Sequence, residues 1–259
     1  MLVDLHNHTT LCNHATGQMR EYVLKAIELG CKYYGFSEHA PMNFDEKYRM
    51  KFSEIPFYEK SILELKDEFK EKIEIFLAYE VDFLEGLIDD RVMSRKVDYF
   101  IGSVHFLGNW GFDNPEFIGE YKDKNIDDIW TKYFEAIESL AKSGLFDIVG
   151  HLDLLKVFKF LPTKDIRVLA KDAINAIKKA NLVVELNVAG LRKPIEEIYP
   201  SPLLLEMIKE KDISITFSSD AHSVDQVGYK NEELQRLAKS FKYDKVAIFR
   251  QRDRELIKF

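Results

Sequence analysis

Short apolar runs alternate along the chain with longer segments of helical periodicity, and this alternation constrains the fold more than any other feature. Seven runs have the length and continuous hydrophobicity of strands that are covered on both faces. They span residues 2–5, 33–37, 73–80, 99–104, 146–150, 182–187 and 213–218. Helical patterns cover residues 19–29, 53–71, 126–143, 165–180 and 202–211. Strand and helix at this rhythm predict parallel βαβ units.

The length and the absence of a linker favour one domain over residues 1–259. Parallel α/β barrels commonly have this size. We therefore predict an α/β fold with a parallel sheet, and long loops at 41–52 and 106–124 on the barrel mouth. The tail from residue 243 is predicted to add a short strand and then a helix.

Charge and cysteine usage exclude several classes of partner. The net charge of −7 argues against nucleic acid, because no basic excess is present to neutralise phosphates. No basic and apolar leader precedes the first strand, and no apolar run approaches the roughly 20 residues of a membrane helix. Cys12 and Cys31 form no CxxC pair, which is typical of a reduced, cytoplasmic protein.

Metal-ligating residue types gather at the ends of the predicted strands. All seven histidines lie at a strand's C-terminal end or in the loop after it, together with one Glu and one Asp. Active sites of parallel barrels are built from these ends. A single member has an ordinary alternative: a loop histidine on the surface, a solvated Glu80, or Asp220 as a helix N-cap. The predicted ligands are His6, His8, His14, His39, Glu80, His105, His151, Asp220 and His222.

The types of donor atom limit which metal ions and which class of substrate the site could bind. Imidazole and carboxylate without thiolate suit Zn, Mn, Fe or Co, and nine ligands suit two or three divalent ions. Cys12 is either a soft ligand or, as we favour, a small buried side chain. Such a site stays strongly positive and is predicted to attract an anion, most simply a small phosphate ester. Metal ions that lie close together can clamp both oxygens of a phosphoryl displacement.

These residues resemble the polymerase-and-histidinol-phosphatase (PHP) family from Asp4 to about His222. The run DLHNH at 4–8, then His14, SEH at 37–39, Glu80, SVH at 103–105, GHLD at 150–153 and SDAH at 219–222 carry the resemblance. Within the family, CNHA, GFSEHAP and ELNVAGLRKPIEEIYPSP look most like the monofunctional histidinol-phosphate phosphatases. The resemblance implies a distorted (β/α)7 TIM-like barrel with a metal site at the C-terminal ends of the strands.

The resemblance also implies a ligand scheme and a reaction. His6, His8, Glu80 and Asp220 would hold the first ion, and Glu80 would bridge to a second. His105 and His151 would complete the second site, and the third ion would be held by His14, His39 and His222. The implied activity is hydrolysis of L-histidinol phosphate to L-histidinol and phosphate in histidine biosynthesis, by attack of a metal-bridging hydroxide on phosphorus.

Further residues are candidates for proton transfer and substrate binding. Asp220 and Asp153 are candidates for moving the proton to the leaving alcohol, and Glu38 either joins them, contacts substrate, or supports His39. Arg192 could grip two phosphoryl oxygens, although a loop arginine can also face solvent. Lys156 is a weaker phosphate-binding candidate. The imidazole and amine need acidic and aromatic neighbours in the loops, with candidates at Asn43, Phe44, Tyr48, Phe106 and Asp113.

Two other functions stay open on the sequence. One is a phosphatase or phosphoesterase on the same site that acts on a nucleotide, a sugar phosphate or a 3′ nucleic-acid end, although the net charge disfavours the last. The other is a metal-binding or scaffold protein without activity, which the carboxylates and Arg192 beside the histidines disfavour.

Overall fold

Seven strands form one parallel sheet whose spatial order follows the chain. The computed structural model describes residues 2–122 and 124–259. Each strand pairs with the next along the sequence. All seven predicted strands are present, as β1 Val3–Asp4, β2 Tyr33–His39, β3 Glu74–Asp82, β4 Tyr99–Ser103, β5 Ile148–Val149, β6 Val183–Asn187 and β7 Ile215–Ser218.

The sheet curls until its first and last strands meet. The Leu5 amide donates to the Phe217 carbonyl over 3.0 Å, and the Asp220 amide donates to the His6 carbonyl over 2.7 Å. Asn7 and Ala221 form a parallel bridge beyond the strand ends. The result is a nearly closed parallel barrel, which confirms the predicted (β/α)7 TIM-like architecture.

One helix follows each barrel strand. Five of the helices were predicted to within two residues at each end, whereas the single turn α3 and the largely polar α7 were not predicted. In α7 only Asn231, Leu234 and Ala238 are buried, so its apolar stripe is narrow. The helices are α1 Met19–Glu28, α2 Ile55–Phe69, α3 Asp90–Met93, α4 Ile126–Lys142, α5 Ile166–Lys179, α6 Pro202–Glu210 and α7 Asn231–Ser240.

The C-terminal segment is an antiparallel hairpin of β8 Lys245–Arg250 and β9 Asp253–Lys258. The predicted strand is present, but the predicted final helix is wrong. Gln251 and Arg252 both take positive φ angles, 49° and 72°, and form the two-residue turn that reverses the chain. The hairpin packs under the barrel, where Ala247 accepts a hydrogen bond from the Thr216 hydroxyl. It closes the N-terminal ends of the strands.

Two long loops cover the opposite end, as predicted for residues 41–52 and 106–124. The second contains a short ribbon of Phe106–Leu107 with Trp110–Gly111, followed by a 3₁₀ segment at Pro115–Tyr121. Lys47 Nζ lies 2.9 Å from Glu116 Oε1 and joins the two loops. No helix of the described residues is long and apolar enough to cross a membrane.

Candidate active site

The strand ends bring all nine predicted metal ligands into one cluster. His39, at the end of β2, lies in register with Glu80 of β3, and the other members come from the segments after β1, β4, β5 and β7. Besides one group that contains Cys12, three groups made only of predicted ligands have their ligand atoms within 4.8 Å of one another. They are His6, His8 and Glu80; Glu80, His105 and His151; and His14, His39 and His222.

Glu80 and Asp220 connect these groups. Glu80 Oε2 lies 3.3 Å from His6 Nε2 and 2.9 Å from His39 Nδ1, and Oε1 lies 2.9 Å from His151 Nε2. Asp220 Oδ1 lies 3.3 Å from His8 Nε2 and 4.0 Å from His6 Nε2. The two carboxylates therefore lie between imidazoles that come from different parts of the barrel.

The donor atoms of the cluster fit metal ions better than they fit each other. The Nε2 atoms of His6 and His8 face one another at 3.1 Å. His222 Nε2 is buried and makes no hydrogen bond within the described part of the chain. Lone pairs of imidazole and carboxylate that converge in this way are the donor set of a divalent transition metal. Burial without a partner is costly for such atoms unless a cation is bound.

Three carboxylates stand behind these imidazoles. Glu185 Oε2 lies 2.9 Å from His6 Nδ1, and Asp82 Oδ1 lies 2.6 Å from His105 Nδ1. Glu38 Oε1 lies 3.3 Å from His8 Nδ1. A carboxylate on the far nitrogen fixes the tautomer and orientation of a metal-binding histidine.

Sequence reasoning missed Glu185 and Asp82. Glu185 belongs to β6, the strand to which no ligand was assigned, and its Oε1 accepts hydrogen bonds from the His151 amide and from Asn187 Nδ2. The available signal was an acidic residue within an otherwise apolar strand. Asp82 follows Glu80 by two positions, so both side chains leave β3 on the same side.

The protonation of the imidazoles is strongly uneven. Burial opposes a charge on His105, but the carboxylates of Asp82 and Glu80 overcome burial and raise its pKa to about 10. For His39, burial and the neighbouring His8 lower the pKa to about 3. Neighbouring imidazoles therefore do not share one protonation state, and the neutral ring of His39 keeps a nitrogen lone pair that a metal ion can use.

Arg192 lies at the edge of the cluster with one donor left over. Its Nη2 donates to the backbone carbonyls of Ser219 and Asp220 over 2.8 and 2.9 Å. Its Nη1 is buried and has no hydrogen-bond partner in the described chain. The side chain lines the cavity, so the alternative of a purely solvent-facing arginine does not describe it. The Tyr199 hydroxyl, another residue that the sequence reasoning missed, is likewise buried and without a partner.

Three predicted residues do not line the cavity, and Glu38 accepts a hydrogen bond from the His39 amide, which agrees with the supporting role named for it. Glu38 is fully buried behind His8 and does not line the cavity, so it has no access to substrate. Lys156 Nζ is buried and lies 3.0 Å from Asp153 Oδ2 and 2.6 Å from Glu197 Oε2. Asp153, itself fully buried, also accepts from an amide and does not line the cavity. Lys156 is thus held by two carboxylates within the fold, and neither it nor Asp153 faces the cavity.

Cys12 has two sets of neighbours. Its Sγ lies within 4.8 Å of ligand atoms of His8 and His222, yet the thiol also donates to the Thr9 carbonyl over 3.1 Å. Burial and the nearby Glu38 carboxylate raise its pKa, which disfavours the thiolate that a metal would need. The geometry therefore favours a small buried side chain over a soft ligand.

A cavity of about 440 Å³ lies above the cluster. Five of the seven histidines, with Glu80 and Asp220, form its floor; Arg192 and Tyr199 form one side, and the two long loops form the roof. Tyr48, Phe106 and Asp113 line it, whereas Asn43 and Phe44 do not. The size suits a small molecule with an anionic group at the floor.

The sequence is similar to a known domain family and to proteins named histidinol-phosphatases. The PHP domain model matches residues 4–189. A Deinococcus radiodurans protein named "Probable histidinol-phosphatase" is 39% identical over 234 residues, which cover 88% of this chain and 89% of that protein. The histidinol-phosphatase of Bacillus subtilis is 29% identical over 261 residues, covering 88% and 96%.

A solved structure has the same fold. It is the histidinol phosphate phosphatase of Lactococcus lactis, described as complexed with zinc, L-histidinol and phosphate. The two chains superpose with a TM-score of 0.80 at 23% identity, over 98% of each. Because the PHP domain model matches most of the chain, and the Deinococcus protein is similar over nearly all of it, the chain belongs to the PHP domain family.

Proposed function

We propose that this protein is a metal-dependent phosphomonoesterase that hydrolyses L-histidinol phosphate to L-histidinol and phosphate. The observation that carries the proposal is the set of overlapping histidine and carboxylate groups around Glu80, which forms the floor of a small cavity beside the free donor of Arg192. The names of the relatives from Deinococcus and Bacillus support the choice of substrate.

Two or three divalent ions would occupy the cluster. His6, His8, Glu80 and Asp220 would hold one, Glu80 with His105 and His151 a second, and His14, His39 and His222 a third. Bound there, the ions would acidify the attacking water and neutralise the phosphoryl oxygens. Zinc, manganese, iron and cobalt all suit these nitrogen and oxygen donors.

The chain's own groups would orient the ester and move a proton. Arg192 Nη1 would donate to a phosphoryl oxygen, while its Nη2 stays anchored on the loop after β7. The attacking water forms a new bond to phosphorus, the bond from phosphorus to the alcohol oxygen breaks, and the leaving oxygen takes up a proton. Asp220 lines the cavity and is our candidate for that transfer; Asn187 Nδ2 holds its other oxygen at 3.1 Å.

Net charge and cysteine chemistry support a substrate class and a cellular compartment. We infer a small ester as substrate, because a net charge of −7 leaves no basic excess for nucleic acid. Both cysteines are free and buried, so we propose a reducing cytoplasm as the place of the reaction.

Phosphate release from a panel of monoesters tests the proposal. L-histidinol phosphate is compared with a nucleoside monophosphate and a sugar phosphate, and the metal content of the same sample is measured. We expect histidinol phosphate to have the highest kcat/KM, and we expect a chelator to abolish its turnover. Comparable rates on the other esters would favour a broad phosphatase, and no release from any ester would favour a binding protein.

A further inference from the structure

The acidic residues that line the cavity differ in whether they have a partner. Asp82 pairs with Arg49 at 2.9 Å as well as with His105, and Asp45 Oδ2 lies 3.4 Å from Arg49 Nη2. Glu80 and Asp220 belong to the candidate metal cluster. Asp113 has no hydrogen bond and no ion pair with any described residue. It is therefore a carboxylate on the cavity wall whose partner is not supplied by the described chain.

The position of Asp113 is fixed by the backbone on either side. The Phe112 amide donates to the His105 carbonyl over 3.3 Å, and the Tyr121 hydroxyl donates to the Phe112 carbonyl over 3.2 Å. The Asn114 amide in turn donates to the Gly111 carbonyl. These bonds fix the backbone of the loop from which Asp113 reaches the cavity.

The surroundings of Asp113 favour a cation with an apolar body. Phe106 and Tyr48 line the same cavity, and the exposed ring of Phe117 lies at its rim. Burial raises the pKa of Asp113, although His105 and Lys193 act in the opposite direction. Lys193 is exposed and is not within ion-pair distance of Asp113. A half-buried carboxylate without a partner is stabilised by a ligand cation that lies between it and the aromatic rings.

We propose that Asp113 binds the protonated amine of the substrate's alcohol part and thereby selects amino-alcohol phosphates over neutral esters. The inference rests on the proposed function and names the recognition group of the same cavity. In histidinol phosphate the amine is separated from the ester oxygen by two carbons. In this proposal the phosphate lies on the cavity floor beside Arg192, and the amine faces the roof.

The variant Asp113→Asn tests the inference because it keeps the size of the side chain and removes its charge. The control is Glu120→Gln, which removes one charge from the same loop at an exposed residue that does not line the cavity. Two substrates are compared for each protein: histidinol phosphate, and the matched imidazolylpropanol phosphate that lacks the amine. The metal content and the thermal midpoint are measured alongside.

We expect Asp113→Asn to lower kcat/KM for histidinol phosphate by about 10- to 100-fold, mostly through KM, because a charge-assisted contact is lost. The amine-free ester should be hydrolysed at an unchanged rate, and the control should behave as the wild type does. Equal losses on both esters, or no loss on either, would overturn the assignment of the amine to Asp113. A wild-type protein inactive on histidinol phosphate would instead overturn the proposed function, and the inference with it.

Discussion

The two ends of the barrel differ in whether their charged and polar side chains are paired. At the N-terminal end, arginines of the C-terminal hairpin pair with carboxylates at the strand starts, Arg250 with Glu74 at 2.6 Å and Arg252 with Asp147 at 2.9 Å. At the C-terminal end, imidazole nitrogens face one another and buried donors lack partners. The same strands thus carry ion pairs at one end and a cluster of candidate metal ligands at the other. Changes at the two ends should separate activity from stability.

The largest effect is expected for Glu80→Gln at the ligand-binding end. Glu80 belongs to two of the donor groups, and an amide cannot supply two anionic oxygens. We expect kcat/KM to fall by about three orders of magnitude or more, equivalent to about 4 kcal/mol of activation free energy. The metal content should fall in the same sample. Full activity with unchanged metal would reject the bridging role of Glu80.

Arg192→Ala should leave the metals bound and weaken only the grip on phosphate. We expect kcat/KM to fall by about 100-fold, since one charged donor to the phosphoryl group is removed. Arg192→Lys should recover only part of this loss, because an ammonium cannot bond the two loop carbonyls and the phosphate in the same fork geometry. Unaltered kinetics, measured with metal content constant, would limit the arginine to holding the loop after β7.

Asp82→Asn tests the carboxylates that contact the far nitrogens of the candidate ligand histidines. The carboxylate supports the Nδ1 of His105 and pairs with Arg49, so the amide should loosen the orientation of that imidazole. We expect metal affinity to fall by about 10- to 100-fold, the range typical of such supporting groups. Titration of the metal-stripped protein measures the change, and added metal should rescue turnover. A loss of activity that excess metal does not restore would indicate a different role.

The strand positions and the ligand types could be predicted because both depend on local sequence. His39, Glu80 and His151 stand directly at the ends of apolar runs, and parallel strands bring such ends together without further information. The C-terminal helix was predicted wrongly because a turn at Gln251 and Arg252 lacks the usual Asn or Gly signal for positive φ.

The partners of charged side chains could not be predicted, because many of them are brought into contact only by the tertiary fold. Lys156 resembles a site residue, yet inside the fold it pairs with Glu197, which is 41 residues away in the chain, as well as with the nearby Asp153. Glu185 looked like part of an apolar strand until its contact with His6, which is 179 residues away in the chain, was known. Sequence reasoning therefore finds candidate metal ligands more readily than the residues that support them.

The smallest effect on activity is expected at the closed end, for Arg252→Ala. The guanidinium lies 2.9 Å from Asp147 and bonds the Leu145 carbonyl, so its loss should lower the free energy of unfolding by about 1 kcal/mol at neutral pH. Arg20→Ala, which removes a more exposed pair with Glu68, is the matched control and should change stability little. Turnover should be unchanged in both variants.

The pH dependence of this loss sharpens the prediction. Burial raises the pKa of Asp147, while hydrogen bonding and charge from Arg252 act in the opposite direction. Without the arginine, the pKa of Asp147 in the folded state rises further above its unfolded-state value. The substitution therefore lowers the free energy of unfolding most at pH values at which Asp147 is ionised. The difference in unfolding free energy should therefore be largest at neutral pH and shrink as the pH falls through the folded-state pKa. Denaturant unfolding at several pH values measures it, and a constant difference would mean that Arg252 acts through packing on Phe100 instead of through charge.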